Sequence, residues 1–370
     1  MTTIDATRVH SSSESAHPDT LDAKPRPRGR KHSLQRGIRI HEDARRGYTT
    51  RKPSLYFDGR SYEYTEDTGA TFEVVYSHHD SNDHDPSDRT LTVSSVCDGH
   101  AGYLASYTTT KRIRELLPTC IVDAKGDVVV ALERLFAKLA GETAHLTSGT
   151  TCNVTVFDPL QKKVYIASLG DSPTLRYRKG PRGKFRLVWK SDDHDCADPT
   201  EVERMVRIHQ QHGDETADAD AVVYQVMNGD QPTGVWRNRQ TQCMLHSSFG
   251  DLHNNYYPKM VNTVPRIYTQ DWSTLQRSDV WVQCTDGLLE WLTHSLICIQ
   301  PRSDLRVHEV ARHLDQCHRH PNVAHSLHEM QIESMLRARL DAHPKRHDST
   351  REWVESTFDN HLTKVFTWDG

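Results

Sequence analysis

The chain has 370 residues, of which 35% are hydrophobic and 26% are charged, and its formal net charge is −4 at pH 7. A chain of this length can bury a large core, and its small net charge argues against binding nucleic acid over the whole surface. The eight cysteines include no CxxC pair and follow no secretory leader. We therefore expect reduced thiols in an intracellular protein, cytoplasmic or nuclear. No membrane association is expected, because the longest apolar stretch, near 128–132, is far shorter than the roughly 20 residues that cross a bilayer.

Residues 1–47 are predicted to form a disordered basic tail. They are rich in Ser, Thr, Arg and Pro and include the run KPRPRGRK at 24–31. Such a segment cannot bury enough apolar surface to become ordered. The positive run fits three roles that the sequence does not distinguish: a nuclear localisation signal, a segment that binds an acidic partner or nucleic acid, and a solvated arm that keeps the protein in solution. A folded domain is predicted over 48–370.

Beyond the tail, strands and helices are predicted in blocks. Alternating patterns predict strands near 71–77, 91–97, 150–157, 163–169, 174–178, 185–190, 221–227, 280–285 and 361–367. Helical periodicity predicts helices at 101–117, 127–142, 200–211, 304–317 and 325–342. Because strands and helices do not alternate strictly, the pattern favours α+β layers over a doubly wound parallel sheet. The polar run SHHDSNDHDPSD at 77–88 is predicted to be a hairpin loop rather than a metal site.

Three β-prone runs each end at an aspartate beside a glycine. LTVSSVCDGH reaches Asp98, VYIASLGDS reaches Asp171 and VWVQCTDGL reaches Asp286. Carboxylates from the ends of separate strands can converge on one cluster of cations, and hard oxygen ligands favour Mg²⁺ or Mn²⁺ over zinc. Two such ions about 3.5–4 Å apart can share a carboxylate and lower the pKa of a water, so that the resulting hydroxide attacks a phosphorus atom. The pattern therefore predicts a metal centre.

The triplet Asp98, Gly99 and His100 is where most of the chemistry is expected. A tight turn at Gly99, before a helix that begins at Ala101, would place a carboxylate and an imidazole on one rim. By itself the triplet is a weak signal, since an aspartate before a helix is more often an N-cap than a metal ligand. His100 is a candidate general acid because its pKa can lie near neutrality. The alternative is a histidine at a helix start that hydrogen-bonds a carboxylate.

The order of the motifs along the chain adds a family resemblance. After DGHAG (98–102) come SGTTCNVTVFD (148–158), SLGDSPTLRY (168–177), DDHDCADPTEVERM (192–205), SSFGD (247–251), QCTDGLLEWL (283–292) and FDNHLTKVFTW (358–368). In these motifs, over roughly 62–368, the chain resembles the metal-dependent protein serine/threonine phosphatases of the type 2C class. The resemblance implies a four-layer α+β sandwich of two mostly antiparallel β-sheets flanked by helix pairs. It also implies that a metal-bound hydroxide hydrolyses phosphoserine or phosphothreonine in a phosphoprotein substrate.

The resemblance implies roles for individual residues. Asp98 would bridge two Mg²⁺ or Mn²⁺ ions and so act as a catalytic residue. The Gly99 carbonyl would be a further metal ligand. Asp286 and Asp359 would hold the first ion. His100 would donate a proton to the departing serine or threonine oxygen.

A third, weaker ion is implied at Asp171, with Glu290 at a position where relatives usually have aspartate. Relatives also have an arginine that clamps phosphate, shortly before a Glu-Asp pair that provides a ligand of the second metal.

The best match for that arginine motif is GRSYEYTED, with Arg60 as the phosphate-binding residue and Glu66 and Asp67 as metal ligands. The spacing is about two residues longer than in relatives. Glu63 is therefore an alternative ligand, and a solvated surface position is the alternative for Arg60.

Three functions from different classes follow from these observations. The first is a phosphatase acting on phosphoproteins. The second is a pseudophosphatase that serves as a binding or scaffold module; the irregular motif at Arg60 motivates it, and the intact Asp98, Asp286 and Asp359 argue against it. The third is an adaptor that binds through basic residues 24–52.

The acidic stretch GDETADADA lies in a region that forms a flap in relatives and helps them to select substrates. In this chain its charge would favour basic phosphopeptides or belong to a solvated loop.

Overall fold

The computed structural model describes residues 8–10, 30–35, 38–45, 55–57, 60–62, 66–78, 87–194, 196, 198–228, 231–239, 247–252, 261–276, 278–289, 303–342 and 361–368. The strands are β1 (Arg8–His10), β2 (Arg30–Gln35), β3 (Ile38–Arg45), β4 (Leu55–Phe57), β5 (Arg60–Tyr62), β6 (Thr68–His78), β7 (Ser87–Cys97), β8 (Gly99–His100), β9 (Gly149–Thr150), β10 (Cys152–Asp158), β11 (Lys163–Leu169), β12 (Thr174–Lys179), β13 (Phe185–Lys190), β14 (Val223–Asn228), β15 (Gln231–Asn238), β16 (Phe249–Gly250), β17 (Arg266–Asp271), β18 (Val280–Cys284) and β19 (His361–Trp368). The helices are α1 (Leu104–Asp123), α2 (Val128–Thr143), α3 (Pro199–Gln211), α4 (Ala219–Val222), α5 (Ser303–Cys317) and α6 (Val323–Ala342).

Two six-stranded sheets form the centre of the fold. The first has the order β1-β6-β7-β10-β11-β17 and the second has the order β13-β12-β18-β19-β3-β2. Neighbouring strands in both sheets run antiparallel. Strands β10, β11, β12 and β13 lie where the sequence predicted strands, and they form the hairpins β10–β11 and β12–β13. Strands β6 and β7 pair up to His78 and Ser87, as the predicted hairpin at 77–88 requires, and residues 79–86 lie outside the described ranges.

Helices cover the outer face of each sheet. The apolar stripe of α2, which includes Leu132, Leu135 and Phe136, packs with side chains of α1 on strands of the first sheet such as β6. Helices α5 and α6 pack on the second sheet through a separate cluster that includes Leu314. Apolar residues of both sheets meet between them. The order is helix, sheet, sheet, helix, so the predicted four-layer α+β sandwich is confirmed.

Helix α1 differs from the prediction at both ends. It begins at Leu104 rather than Ala101. Ala101 has φ 56° and Gly102 has φ 122°, so the chain makes a left-handed turn before it can become helical. Gly99 and His100 instead form the short strand β8, which pairs with β9. At the other end the helix passes through Pro118 and stops at Asp123, beyond the predicted end at 117.

The N-terminal region contains strands where the sequence predicted disorder. Ile38–Arg45 form β3, which pairs along its length with β19, and Ile40 is fully buried. The predicted disorder therefore does not hold for this segment, because backbone pairing with β19 and a few apolar contacts order it despite its polar composition. Strands β1 and β2 also fall within 1–47. The other residues of the tail lie outside the described ranges, and the boundary at 47 and the binding role of the tail stay predictions.

Six cysteines lie in the described ranges, and each is a buried free thiol: Cys97, Cys120, Cys152, Cys196, Cys284 and Cys317. Cys243 and Cys298 lie outside those ranges. Among the described helices, none combines the length and the apolarity that a membrane span requires.

Candidate active site

In the first sheet, two strand ends bring two of the predicted ligands side by side. Thr68 at the start of β6 pairs with Cys97 at the end of β7. Asp67 directly precedes β6 and Asp98 directly follows β7, so the two residues lie at the same end of this strand pair. Asp67 is buried, whereas Asp98 is partly exposed.

In the second sheet, two further strand ends deliver the other predicted aspartates. Thr174 of β12 pairs with Gln283 of β18. Because the strands are antiparallel, Asp171 before β12 and Asp286 after β18 leave the sheet at the same end. Both residues are partly exposed. The sequence placed Asp171 at the end of the run that forms β11, and the structure places it in the turn between β11 and β12. The register of β12 and β18 puts that turn at the same end as Asp286.

Carboxylates of the two sheets act on the same buried thiol. Burial raises the pKa of Cys284 at the end of β18, and the charge of Asp286 raises it further, against an opposing effect of Lys190. Weaker effects of Asp193 and Asp98 also raise it. The neutral thiol is therefore favoured, which argues against Cys284 as a nucleophile.

His100 lies beside this rim and contacts a carboxylate. Its Nε2 atom is 2.9 Å from both carboxylate oxygens of Asp251. Burial lowers the pKa of His100, but the hydrogen bond to Asp251 and the charges of Asp251, Asp171 and Glu66 outweigh burial, so the pKa is raised. The His100 side chain is 32% exposed, which leaves it accessible to a ligand.

Asp251 is a site residue that the sequence reasoning did not select. It follows Gly250 in the SSFGD motif and has φ 59°, and the Ser248 hydroxyl donates a hydrogen bond to its carboxylate. Gly149 lies directly beneath the pair: a Cβ atom there would be 2.1 Å from Nε2 of His100 and 2.4 Å from Oδ1 of Asp251. The Gly-Asp step in the motif was the available signal, but its partner is set only by the fold.

Glu66 organises the turn that follows His100. Its Oε1 atom accepts the N–H of Gly102 at 2.7 Å, and its backbone carbonyl accepts a hydrogen bond from the Ser106 hydroxyl. A Cβ atom at Gly99 would lie 2.3 Å from that carbonyl oxygen, so glycine is required for the two backbones to approach. One carboxylate oxygen of Glu66 thus fixes the turn that follows His100.

The backbone of Asp98 is held by the neighbouring strand. Its carbonyl accepts hydrogen bonds from the amide of Thr151 and from the hydroxyl of Thr150, each at 2.9 Å. Its amide donates to the Thr151 hydroxyl at 3.0 Å. The main chain on both sides of the carboxylate is therefore fixed before any ligand binds.

Comparison with known proteins identifies the family of this chain. The family described as Protein phosphatase 2C matches residues 61–322. The chain belongs to the protein phosphatase 2C family. Its fold is similar to the crystal structure of serine-threonine phosphatase 2C from Toxoplasma gondii, with 16% identity, a TM-score of 0.52, and coverage of 93% of this chain and 100% of that chain.

A second similar structure is that of a C. elegans sex determining protein, with 16% identity and a TM-score of 0.51. The match covers 90% of this chain and 65% of that chain. At this identity the two structures support the phosphatase 2C fold alone. No curated protein sequence matches the chain.

Some predicted positions of the phosphatase 2C site fall outside the described ranges: Glu63, Glu290 and Asp359. Thr363 of β19 pairs with Cys284 of β18, which brings the start of β19 next to the strand end that precedes Asp286. Arg60 begins β5, which forms a short hairpin with β4, and its contact with phosphate stays a prediction.

The donor chemistry of the rim fits the divalent cations that the phosphatase 2C family implies. Within the described ranges, no group of three or more His, Cys, Asp or Glu side chains is arranged to hold a metal ion alone. Mg²⁺ does not require such a cage, because it keeps several waters and is bound by one or two carboxylates together with substrate phosphate. Asp98, Asp171 and Asp286 are partly exposed and offer only oxygen ligands, which suits Mg²⁺ or Mn²⁺.

Proposed function

We propose that this phosphatase 2C family member is a Mg²⁺- or Mn²⁺-dependent protein serine/threonine phosphatase. The observation that carries the proposal is geometric: hydrogen bonds of Thr151 join the turn of Asp98 to the turn of Asp171, and Asp286 leaves the second sheet at the same end as Asp171. The partly exposed His100 follows Asp98 by two residues. Hydrolysis of a phosphate monoester requires neutralised phosphate charge, an activated water and a proton for the leaving oxygen. The residues at this rim supply the groups for all three.

Two ions would be held by carboxylates of both sheets, and a third would bind more weakly. The proposed ligands are the carboxylates of Asp98, Asp67, Glu66, Asp286, Asp359 and Asp171 and the carbonyl of Gly99. When bound, divalent cations lower the pKa of a coordinated water and neutralise charge on phosphate. The partial exposure of Asp98 and Asp286 keeps that side of the rim open to a phosphorylated chain.

His100 is the proposed general acid. Its hydrogen bond to Asp251 holds the ring in one orientation, and the carboxylate favours the charged form of the ring. The serine or threonine alkoxide is a poor leaving group, so a proton from the imidazolium ring at the departing oxygen assists cleavage. Asp251 stabilises the positive charge of the ring before transfer.

Substrate binding is assigned to positions around the rim. Arg60 is proposed to bind the phosphate, because a guanidinium can contact two phosphate oxygens at once. The segment between α3 and β14 carries four exposed acidic side chains: Asp214, Glu215, Asp218 and Asp220. We propose that these charges favour basic residues next to the phosphorylated side chain.

The deciding experiment measures hydrolysis of a phosphothreonine peptide by the purified full-length chain with Mn²⁺, with Mg²⁺ and after chelation. We expect turnover with either metal and none after chelation. Asp98→Ala should reduce kcat by several orders of magnitude, because the proposed ligand of the divalent cations would be lost. Circular dichroism checks that the variant is folded.

Two results would contradict the proposal. If the wild-type chain shows no turnover with any divalent metal, the chain is a pseudophosphatase that binds without hydrolysis. If Asp98→Ala turns over like the wild type, Asp98 has no part in the reaction.

The role of His100 is tested with two leaving groups. His100→Gln should slow hydrolysis of the phosphothreonine peptide strongly and hydrolysis of an aryl phosphate weakly, because a phenolate departs without a proton. Asp251→Asn should show the same pattern with a smaller loss, since the ring is retained but less well held. Equal losses on both substrates would mean that these residues maintain the rim and do not deliver the proton.

A further inference from the structure

Thr151 lies between the turn that carries Asp98 and the turn that carries Asp171. Its amide donates to the Asp98 carbonyl at 2.9 Å, and its hydroxyl accepts the amide of Asp98 at 3.0 Å. The same hydroxyl oxygen is 2.6 Å from the hydroxyl of Ser172, the residue after Asp171. One side chain is therefore bonded to both of the segments that deliver these carboxylates.

The turn at Asp171 is fixed from several sides. Gly170 has φ 93°, and a Cβ atom there would lie 2.6 Å from Cγ2 of Thr151, so the Thr151 methyl packs directly against it. The Ser172 carbonyl accepts a hydrogen bond from Nδ2 of Asn153 at 2.9 Å, and the Gly170 carbonyl accepts the amide of His194 at 3.0 Å. Only small adjustments are open to this turn, so the Thr151 hydroxyl has a rigid partner.

Burial makes these hydrogen bonds consequential. Thr151 and Ser172 are each 1% exposed, so water cannot replace a lost partner. Removing the Thr151 hydroxyl would leave the Asp98 amide and the Ser172 hydroxyl to find new partners by moving. A shift of either backbone changes the direction of the attached carboxylate.

We propose that Thr151 is a positioning residue that sets the placement of Asp98 relative to Asp171 and so couples the third cation site to the first two. The inference rests on the proposed function, because it assumes that these aspartates bind divalent cations. Residues that orient metal ligands typically change metal affinity about 10- to 100-fold when they are removed.

Three substitutions separate the parts of this arrangement. Thr151→Val keeps the shape and removes the hydroxyl, so both links are lost. Ser172→Ala removes only the link to the turn at Asp171. Thr151→Ser keeps the hydroxyl and removes the methyl group that packs against Gly170.

The chain also offers a matched control. Thr155 lies on β10, the strand that begins directly after Thr151, is fully buried, and its hydroxyl has no hydrogen-bond partner among the described residues. Thr155→Val therefore makes the same chemical change four residues away without touching the rim.

The experiment is Mn²⁺ titration of the full-length chain, read from the electron paramagnetic resonance signal of free Mn²⁺, with no substrate present. We expect Thr151→Val to weaken Mn²⁺ binding about 10- to 100-fold across the sites. Ser172→Ala should weaken only the weakest class of sites. Thr151→Ser and Thr155→Val should bind as the wild type does.

The outcomes distinguish the inference from the proposed function. If the wild type binds Mn²⁺ and Thr151→Val binds it equally well, the inference is overturned and the function stands. If the wild type binds no Mn²⁺, both are overturned. If the melting temperature of Thr151→Val is well below that of Thr155→Val, the Mn²⁺ titration of Ser172→Ala decides. Unchanged Mn²⁺ affinity at the weakest sites of Ser172→Ala overturns the inference. Weaker Mn²⁺ binding at those sites alone supports it.

Discussion

The space between the two sheets has a polar half next to the candidate site and an apolar half away from it. Near the site, Gln283 of the second sheet donates to the carbonyl of Asn153 at 3.0 Å and to its Oδ1 at 2.9 Å. The Ser94 hydroxyl donates to Oε1 of Gln283 at 2.7 Å. These groups are fully buried. They tie a strand of one sheet to two strands of the other.

The polar half also contains a buried lysine. Nζ of Lys364 donates to the Ala70 carbonyl at 2.9 Å and to Oγ1 of Thr71 at 3.0 Å, and lies 3.4 Å from Oε2 of Glu42. Burial lowers the pKa of Lys364, and Glu42 opposes that effect. Lys364 belongs to β19 and its partners Ala70 and Thr71 to β6, so this contact again joins the two sheets.

The apolar half is built from aromatic and aliphatic side chains. The rings of Phe157 and Phe366 lie 5.0 Å apart between centroids, and Trp281 packs 5.8 Å from Trp189. Apolar contacts contribute free energy in proportion to buried area and are not directional. Hydrogen bonds are directional, so they fix how the two sheets are aligned. The two halves therefore have different roles: aromatic packing holds the sheets together, and polar bonds set where the strand ends meet.

The largest expected loss of stability comes from a substitution in the apolar half. Phe366→Ala should lower the free energy of unfolding by about 3–5 kcal/mol, because a fully buried ring is replaced by a cavity. Mn²⁺ affinity of the folded protein should stay at the wild-type value. Urea denaturation and Mn²⁺ titration measure the two quantities. A loss of Mn²⁺ affinity as large as the loss in stability would show that the two halves are not separate.

A slightly smaller effect is expected at the end of the second sheet that is remote from the site. Asp279 is buried and forms ion pairs at 2.7 Å with both Arg176 and Arg178. Burial raises the pKa of Asp279, but hydrogen bonds from Arg178, the amide of Gln276 and Arg176 outweigh burial and lower it. Because the pKa is lower in the folded state, this stabilisation is present above the usual pKa of an aspartate and is lost as the pH falls through the folded value.

Asp279→Asn should therefore cost about 3 kcal/mol at neutral pH, as for breaking a buried ion pair. The difference from the wild type should shrink as the pH is lowered below the usual pKa of an aspartate. Thermal melts over a pH series check both expectations, with Mn²⁺ affinity at neutral pH unchanged. A difference that is constant with pH would mean that the charge of Asp279 contributes nothing.

A substitution in the polar half is expected to cause the smallest loss of stability. It is also expected to cause the largest change in Mn²⁺ affinity. Gln283→Met preserves the length of the side chain and removes its hydrogen bonds to Asn153 and Ser94. Leaving these buried groups unpaired should cost about 1–3 kcal/mol. Mn²⁺ affinity should fall more than in Phe366→Ala, although the fold is less destabilised. The reverse ranking would refute the division between alignment and stability.

Elements with a local repeat were predictable from the sequence, and elements ordered by distant partners were not. The apolar stripe of α2 and the alternation in β10 are set within the segment itself, so the sequence predicted both. Strand β3 is polar and owes its order to pairing with β19, more than 300 residues away. The start of α1 depends on the bond from Gly102 to Glu66, which no periodicity reveals.

For the site, the sequence by itself determined which residues are carboxylates at strand ends and in which order their motifs occur. This was enough to indicate the phosphatase 2C family, a four-layer sandwich, and the importance of Asp98 and Asp286. The tertiary structure alone decided that Asp251 is the partner of His100 and that Thr151 bridges the turns of two carboxylates. The physical reason is range: propensity and periodicity act over a few residues, whereas a hydrogen bond between side chains 151 positions apart exists only after β8 and β16 have paired with β9.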